Sequence, residues 1–290
     1  MPESSTTPAI RDPMEHAAVE VPSSNDAPTR EKDGPMISNW AEHIDSLSGR
    51  HVVVTGAQGG IGRATAKAFA DVGASVIAVD RTFDDASRAA KSLAAGAPDS
   101  AHFPVAMDFA DPSSIADGLR QIRAISLDIA ALVNVAGIAE DARVHMTTPG
   151  SIRRHLQINF EAHIQITQYV TRMMLRTGGG SVVNVSSVTG IDANPGQLSY
   201  ASSKAALLSA TRTFSMELAS LGIRVNAVAP GVIDTNMTQT LDDAVKTRLL
   251  QRIGMNRIGK PEEVAAVILW LCTPAASYVT GQTLRIDGCM

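Results

Sequence analysis

Tyr200 and Lys204 are the residues of this 290-residue sequence whose types and spacing point most directly to chemistry. Alanine and leucine residues follow them, which predicts a buried helix with Ser199 near its N-cap. Side chains four residues apart share one helix face, so the phenol and the ammonium would point into the same space. A free phenol has a pKa of about 10, and a neighbouring cation draws that pKa toward neutrality. The pair predicts an acid/base group, although a half-buried tyrosine beside a solvated lysine has the same spacing.

A glycine-rich turn follows the first apolar run of the chain. The segment Thr55–Gly62 reads TGAQGGIG and leads into a helical pattern. Gly56, Gly60 and Gly62, with Ile61 between the last two, let the backbone approach a pyrophosphate closely. The helix start offers N–H groups and the positive end of its dipole. The segment predicts a dinucleotide phosphate site, and a tight turn without a ligand is the alternative.

Asp80 and Arg81 end the second predicted strand, about 20 residues beyond the turn. A carboxylate there accepts hydrogen bonds from ribose hydroxyls and repels a 2′-phosphate, whereas Arg81 could clamp that phosphate. We expect NAD(H) to be favoured over NADP(H). An aspartate that only caps the next segment is the alternative.

Short apolar runs alternate with helical patterns from residue 51 onward. The predicted strands are 51–55, 75–80, 102–107, 129–135, 181–186, 223–228 and 283–286. The predicted helices are 61–72, 84–95, 113–125, 150–176, 199–220, 241–253 and 262–272. The strands are apolar without alternation, as expected when helices cover both faces of a sheet. The pattern predicts one α/β domain over 39–290 with a single doubly wound parallel sheet of Rossmann type.

Residues 1–38 contain six of the fourteen prolines and no Phe, Trp or Tyr, which predicts a disordered tail. The first 35 residues carry the whole net charge of −4, so the rest of the chain is neutral. A neutral body gives no long-range attraction for nucleic acid or an anionic membrane. No apolar run approaches the roughly 18 residues that span a bilayer. We therefore expect neither nucleic acid nor membrane as a partner.

Cys272 and Cys289 give neither a disulfide framework nor metal-ligand spacing, which suits a reducing compartment. The first residues are acidic and proline-rich, so we expect no signal or transit peptide and a cytoplasmic protein. His145, His155 and His163 lie in or near one predicted helix without accompanying carboxylates or cysteines. They are interpreted as surface or interface residues, and no metal site is predicted.

Further motifs follow the predicted strands in order. They are Asp108 after the third strand, Asn134-Val135-Ala136-Gly137 after the fourth, Asn159 in the long helix, Ser187 after the fifth strand, and then Asn226, Pro230-Gly231, Thr235, Thr280-Gly281 and Asp287-Gly288. With the glycine turn and the Tyr200/Lys204 pair, they resemble the short-chain dehydrogenase/reductase family over residues 50–290. The segments 230–235 and 257–263 resemble its 3-oxoacyl-[acyl-carrier-protein] reductase branch.

The resemblance implies a catalytic tetrad of Asn159, Ser187, Tyr200 and Lys204. Tyr200 would exchange a proton with the substrate oxygen, and Lys204 would lower its pKa and hold the nicotinamide ribose. Ser187 would donate to the carbonyl, although a strand-end serine that bonds its own backbone is the alternative. Asn159 is a poor helix former whose amide can interrupt the helix and hold a water for proton relay.

The resemblance also implies contacts to the cofactor. Asp108 would accept from the adenine amine, and Asn134 and Gly137 would line the adenosine side. After Pro230 and Gly231, the residues Ile233 and Thr235 would secure the nicotinamide carboxamide. The family's NADP-preferring members often carry a basic residue where this chain has Gly59, which agrees with NAD(H). The segment 232–250 is interpreted as a mobile lid.

The resulting functional hypothesis is an NAD(P)(H)-dependent oxidoreductase that interconverts a secondary alcohol and a ketone. An NADPH-dependent 3-oxoacyl thioester reductase is the alternative within the same class. A dinucleotide-binding sensor or scaffold that works through its tail is the alternative of another class. The resemblance further implies a homodimer or homotetramer in which helices 150–176 and 199–220 pair across an interface.

Overall fold

A single parallel sheet organises the computed structural model, which describes residue 43 and residues 45–96, 101–239 and 243–290. Its strands within those residues are β1 (His51–Thr55), β2 (Ser75–Asp80), β3 (Phe103–Ala106), β4 (Ile129–Asn134), β5 (Gly180–Val185), β6 (Ile223–Pro230) and β7 (Thr283–Ile286). They lie in the order β3-β2-β1-β4-β5-β6-β7, and every neighbouring pair is parallel. The chain winds outward in both directions from β1 and β4. The predicted doubly wound sheet is confirmed.

Helices cover both faces of this sheet. In chain order the helices of the described residues are α1 (Gly60–Asp71), α2 (Phe83–Gly96), α3 (Pro112–Ile125), α4 (Pro149–Leu156), α5 (Ala162–Thr177), α6 (Thr189–Asp192), α7 (Leu198–Leu218), α8 (Asn236–Gln239), α9 (Asp243–Leu250) and α10 (Pro261–Cys272). Apolar residues of α1, α2 and α10 pack in one core cluster, and those of α3, α5 and α7 pack in the other. The molecule thus has three layers with the sheet in the middle.

Successive strand residues enter opposite cores. Val53 and Ile77 belong to the cluster with α3 and α5, whereas Val54 and Val76 belong to the cluster with α1 and α10. All four are fully buried. This two-sided burial explains why the strands are apolar without alternation.

The long helix predicted over 150–176 is broken in its middle. A π turn over Gln157–Glu161 separates α4 from α5, with Asn159 at its centre. A π turn closes i→i+5 hydrogen bonds and therefore holds an extra residue. The prediction of one continuous helix is wrong, but an interruption at Asn159 is confirmed.

One prediction on the tyrosine helix is confirmed, and two others lie outside the described residues. The helix that carries Tyr200 begins at Leu198 with Gln197 as its N-cap, so Ser199 lies near the N-cap, as a buried residue of the first turn. The predicted tail, residues 1–38, lies outside the described part of the chain. Residues 240–242 of the predicted lid lie outside it as well.

Candidate active site

The candidate residues lie at the carboxyl edge of the sheet, around the place where its strand order reverses. The glycine turn follows β1, the segment 135–138 follows β4, and Ser187 comes two residues after β5. In open α/β sheets this reversal leaves a crevice between the two outgoing connections, where ligands bind. The described fold therefore brings the predicted cofactor and catalytic residues to one edge.

The glycine turn is closed so tightly that it excludes side chains. Gly56 has φ +65°, and a Cβ atom on Gly62 would lie 1.9 Å from the Gly56 carbonyl oxygen. Gly59 is the N-cap of α1 and leaves the helix start without a side-chain cap. Ile61 is partly buried against the core. The turn therefore presents backbone groups to the crevice, as a phosphate site requires.

Asp80 acts on the glycine turn as well as on its own strand end. Its carboxylate accepts hydrogen bonds from the backbone N–H groups of Gln58 (2.9 Å) and Arg81 (2.8 Å). The Asp80 residue is half-buried and the Arg81 residue is exposed. The carboxylate thus fixes the middle of the turn, a role that the sequence did not indicate.

Asp108 and Gly137 reach the surface of the crevice, whereas Asn134 does not. Asp108 is half-buried and accepts from the Ala110 N–H group at 2.9 Å. Asn134 is fully buried and donates from Nδ2 to Thr167 Oγ1 and Asn184 Oδ1 at 3.0 and 2.8 Å. Its side chain cross-links β4, β5 and α5, which leaves it no contact with the crevice.

Gly137 lies next to the predicted catalytic residues instead. A Cβ atom on Gly137 would come within 3.1 Å of Asn159 Oδ1 and 3.4 Å of Lys204 Nζ. The residue is exposed, so its backbone is open to the crevice. A side chain at this position would intrude between Lys204 and any ligand held there.

The segment after β6 approaches the glycine turn from the other side. A Cβ atom on Gly60 would lie 2.6 Å from Thr235 Cγ2, so these two predicted contact residues face each other closely. Pro230 ends β6 and is buried, and Ile233 is 5 % exposed and packs in the core. Gly231 donates its N–H to the Ile286 carbonyl at 3.0 Å. Within this segment the Thr235 side chain therefore lies directly against the turn.

Tyr200 and Lys204 converge on α7 as their spacing predicts. Lys204 Nζ lies 5.9 Å from the centroid of the Tyr200 ring. Lys204 is 3 % exposed, and its Nζ donates to the Val185 carbonyl oxygen at 2.8 Å. Burial lowers the pKa of Lys204 to about 8. The ammonium therefore stays largely protonated at pH 7.

Ser187 and Ser186 have different tasks. Ser187 is 8 % exposed, its Oγ accepts from the Thr189 N–H group at 3.1 Å, and it also hydrogen-bonds the Tyr200 phenol. Ser186 is buried and donates to the Lys204 carbonyl oxygen at 3.0 Å. Ser187 therefore makes both contacts that the sequence left open: it binds the backbone of its own turn, and it lies beside the Tyr200 phenol.

Asn159 is joined to the tyrosine helix through Ser203. Asn159 Nδ2 donates to Ser203 Oγ at 3.0 Å, and that hydroxyl donates to the Tyr200 carbonyl oxygen at 2.7 Å. The same amide accepts from the Ile138 N–H group at 2.8 Å and donates to the Ile138 carbonyl at 2.9 Å. Asn159 thus links the π turn, the segment after β4 and α7.

The pKa of Tyr200 shifts in the opposite direction from the sequence-based expectation. Burial raises it most, the hydrogen bond from Ser187 lowers it, and the negative charge of Asp141 raises it further. Desolvation disfavours the phenolate, and Lys204 gives its hydrogen bond to Val185. In this structure the phenol is therefore a proton donor at neutral pH.

Asp141 and Gln197 were missed by the sequence reasoning. Gln197 Nε2 donates to Asp141 Oδ1 at 3.0 Å, and Gln197 Oε1 accepts from Thr189 Oγ1 at 3.2 Å. This contact places an exposed carboxylate beside the start of α7. A loop aspartate carries no spacing signal, so only the folded structure could identify it.

The interpretation of His155 and His163 as surface or interface residues is wrong. Both are fully buried, and each hydrogen-bonds a backbone group in the stretch 136–140 that follows β4. His155 accepts from the Glu140 N–H group at 3.2 Å, and His163 Nε2 donates to the Ala136 carbonyl at 2.8 Å. His145 is exposed. Among the described residues no group of histidines, cysteines and carboxylates could hold a metal ion.

A family model described as enoyl-(acyl carrier protein) reductase matches residues 56–290, which is most of the chain. The chain belongs to the short-chain dehydrogenase/reductase family. It is an NAD(P)-dependent oxidoreductase of that family and falls in its 3-oxoacyl-[acyl-carrier-protein] reductase-like branch.

Relatives and solved structures agree with this placement. The 3-oxoacyl-[acyl-carrier-protein] reductase of Thermotoga maritima is 42 % identical over 242 residues, which cover 83 % of this chain and 98 % of that protein. A candidate NAD(P)-dependent gluconate 5-dehydrogenase of Beutenbergia cavernae, with NADP bound at low occupancy, has a TM-score of 0.80 and 35 % identity over 84 % of this chain and 97 % of its own. A 3-oxoacyl-[acyl-carrier protein] reductase of Brucella melitensis with bound NAD has a TM-score of 0.78 and 31 % identity over 89 % and 97 % of the two chains.

The helices of the described residues include none long and apolar enough to cross a membrane.

Substitution Gly62→Ala is expected to weaken dinucleotide binding by about tenfold or more, because overpacking of this size costs on the order of 1–3 kcal/mol. The added Cβ would displace the Gly56 carbonyl and open the turn. Titration of the protein with NADH and NADPH measures the effect. Gly96→Ala is the matched control, since a Cβ there would meet no atom within 4 Å. Wild-type affinity in the Gly62 variant would contradict the prediction.

Substitution Asp141→Asn is expected to lower the pKa of Tyr200, because it removes a negative charge that disfavours the phenolate. In alcohol oxidation, where the phenolate accepts the proton, the rise of kcat/KM with pH should move to lower pH. Asp117→Asn on the remote helix α3 is the control and should leave the profile in place. An unchanged profile for the Asp141 variant would show that its charge does not reach the phenol.

Proposed function

We propose that Tyr200 is the general acid/base with which this oxidoreductase interconverts a ketone and a secondary alcohol. One observation supports this most directly. The Tyr200 ring and the buried Lys204 ammonium lie 5.9 Å apart, with Ser187 hydrogen-bonded to the phenol. A proton donor, a cation and a hydroxyl beside it are the groups that carbonyl reduction needs.

A nicotinamide dinucleotide fits the described crevice. The uncapped start of α1 and the glycine turn can hold its pyrophosphate, because Gly56 and Gly62 keep the backbone free of side chains there. The Asp80 carboxylate, which binds the Gln58 N–H group of that turn, would accept hydrogen bonds from the adenosine ribose, and Thr235 lies against Gly60. When bound, the dinucleotide supplies or accepts a hydride at its nicotinamide ring. In the proposal Asp108, Gly137 and the segment Pro230–Thr235 complete the binding site.

In the reductive direction the Tyr200 phenol gives its proton to the substrate oxygen. The raised pKa of the phenol suits this direction, because a protonated group is required at the start. With substrate bound, the Ser187 hydroxyl would turn its one proton from the phenol to the substrate oxygen and stabilise the negative charge that develops there. In the oxidative direction the phenolate accepts the alcohol proton, which requires a higher pH.

Lys204 and Asn159 support this proton transfer. A protonated Lys204 beside the ring stabilises the phenolate as it forms, which limits the cost of burial. An ammonium has three N–H donors, and those of Lys204 that do not bind the Val185 carbonyl would hold the ribose hydroxyls of a bound dinucleotide. Asn159 fixes the position of α7 through Ser203.

A 3-oxoacyl thioester is the substrate class that we favour among ketones. The support is that the Thermotoga maritima and Brucella melitensis relatives are 3-oxoacyl-[acyl-carrier-protein] reductases. The candidate gluconate 5-dehydrogenase of Beutenbergia cavernae supports a hydroxylated substrate as the second candidate. Rates on a short 3-oxoacyl thioester and on a keto-sugar acid separate the two.

The proposal includes an assembly, a location and a domain division. We propose a homodimer or homotetramer built by pairing of α5 and α7 across interfaces, and a cytoplasmic location, which two unpaired cysteines suit.

We also propose that residues 1–38 form a tail outside the catalytic domain 39–290. A sensor or scaffold acting through that tail is disfavoured, since such a protein needs no acid/base group beside its cofactor.

Substitution Tyr200→Phe is expected to lower kcat by about 10²–10⁴-fold, the usual contribution of general acid/base catalysis. It removes the proton donor and leaves the ring in place, so the affinity for the dinucleotide should stay within about twofold of wild type. Steady-state kinetics and a binding titration measure the two quantities. Tyr278→Phe is the control because Tyr278 is fully exposed. Unchanged turnover of the Tyr200 variant would refute the proposed role.

Initial rates are expected to show a kcat/KM about tenfold or more higher with NADH than with NADPH, since the Asp80 carboxylate would repel a 2′-phosphate. Asp80→Asn removes the charge and should move the ratio toward NADPH. Asp84→Asn in the first turn of α2 is the matched control. A wild-type preference for NADPH would show that Arg81, and not Asp80, decides the cofactor.

A further inference from the structure

His163 is a buried histidine that the proposed mechanism does not use. It lies in the first turn of α5 and is fully buried, and its Nε2 donates to the Ala136 carbonyl oxygen at 2.8 Å. The Phe109 ring meets it edge-on, with ring centroids 5.5 Å apart and an interplanar angle of 86°. The ring is therefore held in one orientation by its packing and by this hydrogen bond.

Ala136 occupies the junction between the cofactor turn and the catalytic residues. A Cβ atom on Gly56 would lie 2.9 Å from Ala136 Cα, so the glycine turn rests on this residue. The next residue, Gly137, lies against Asn159 and Lys204. A shift of Ala136 would therefore move both the phosphate turn and the backbone beside Lys204.

Three side chains hold this junction, and each binds different backbone groups. Thr55 Oγ1 accepts from the N–H groups of Val135 and Ala136 at 3.0 and 3.2 Å. Asn159 holds both backbone groups of Ile138. His163 holds the Ala136 carbonyl, which neither of the other two binds.

We propose that His163 is a positioning residue, which sets the glycine turn and the backbone beside Lys204 for cofactor binding by donating to the Ala136 carbonyl. The inference rests on the proposed function, because it assumes that a dinucleotide binds in this crevice. His163 is not a catalytic residue, since its hydrogen bond goes to the backbone and not to reacting atoms.

The surroundings of His163 keep it in the donor tautomer. Among the described residues Nδ1 is buried without a hydrogen-bond partner, so a proton there would have no acceptor. Burial and the nearby Lys204 charge lower the pKa of His163 to about 3. The ring is therefore neutral at working pH, with its single proton on Nε2 facing Ala136.

A histidine that only fills the core makes a different prediction from a positioning residue. Replacement by any side chain of similar volume would then be tolerated equally. If the Nε2–H group matters, a variant with a donor at the same reach should bind the dinucleotide nearly as wild type does, and a variant without a donor should bind it more weakly.

The test compares His163→Met, which fills the space without a donor, with His163→Gln, whose amide nitrogen replaces Nε2. His102→Gln is the matched control, because His102 accepts a hydrogen bond from the Val76 N–H group away from the crevice. The measurements are the dissociation constants for NADH and NADPH in the full chain and thermal unfolding by circular dichroism. We expect binding about tenfold weaker in the Met variant, as for one lost hydrogen bond, and within about threefold of wild type in the Gln variant.

Wild-type affinity in a folded Met variant would overturn the inference, as would equal weakening in both variants. If the Met variant does not fold, His163→Leu replaces it as the variant without a donor, and the inference then requires about tenfold weaker binding in the folded Leu variant beside near-wild-type binding in the Gln variant. Wild-type protein that binds neither dinucleotide would overturn the proposed function and the inference together. If the inference alone fails, the wild-type protein still binds the dinucleotide, and this separates the two failures.

Discussion

The backbone leaving β1 and β4 loses its sheet hydrogen bonds at the same place, and side chains have to replace them. Buried N–H and C=O groups are costly when unpaired, so a crevice at this edge can exist only where substitutes are supplied. Thr55, Asn159 and His163 supply them for the segment after β4, and Asp80 supplies one for the glycine turn. The cofactor side and the catalytic side of the site are thus parts of one hydrogen-bonded framework.

Burial of the Lys204 ammonium is the second constraint on the site. A cation removed from water needs partners, and the carboxyl end of β5 provides one through the Val185 carbonyl. Desolvation also raises the pKa of the Tyr200 phenol, which keeps it protonated at neutral pH. Two groups whose pKa values are similar in water are therefore moved apart, with the pKa of Lys204 lowered and that of Tyr200 raised.

The sequence predicted the sheet because strands such as Ser75–Asp80 are apolar without interruption. It predicted the Tyr200/Lys204 contact because helical spacing places both on one face. It could not predict that Asn134 and His163 are buried, because the sequence around a polar residue does not show whether its hydrogen-bond partner is water or a buried group of the protein. The direction of the Tyr200 pKa shift was also beyond the sequence, since it depends on burial and on Asp141, which is 59 residues away in the chain.

The π turn between α4 and α5 takes up one residue more than a regular α-helix would. Deletion of one residue within Gln157–Glu161 would close the turn to a regular α-helix, and α5 would keep its orientation relative to α4. His163 and Thr167 would then still face the segment after β4, whereas the bulge that carries Asn159 to Ile138 and Ser203 would be lost. The extra residue therefore serves the position of Asn159 and leaves the packing of α5 unchanged.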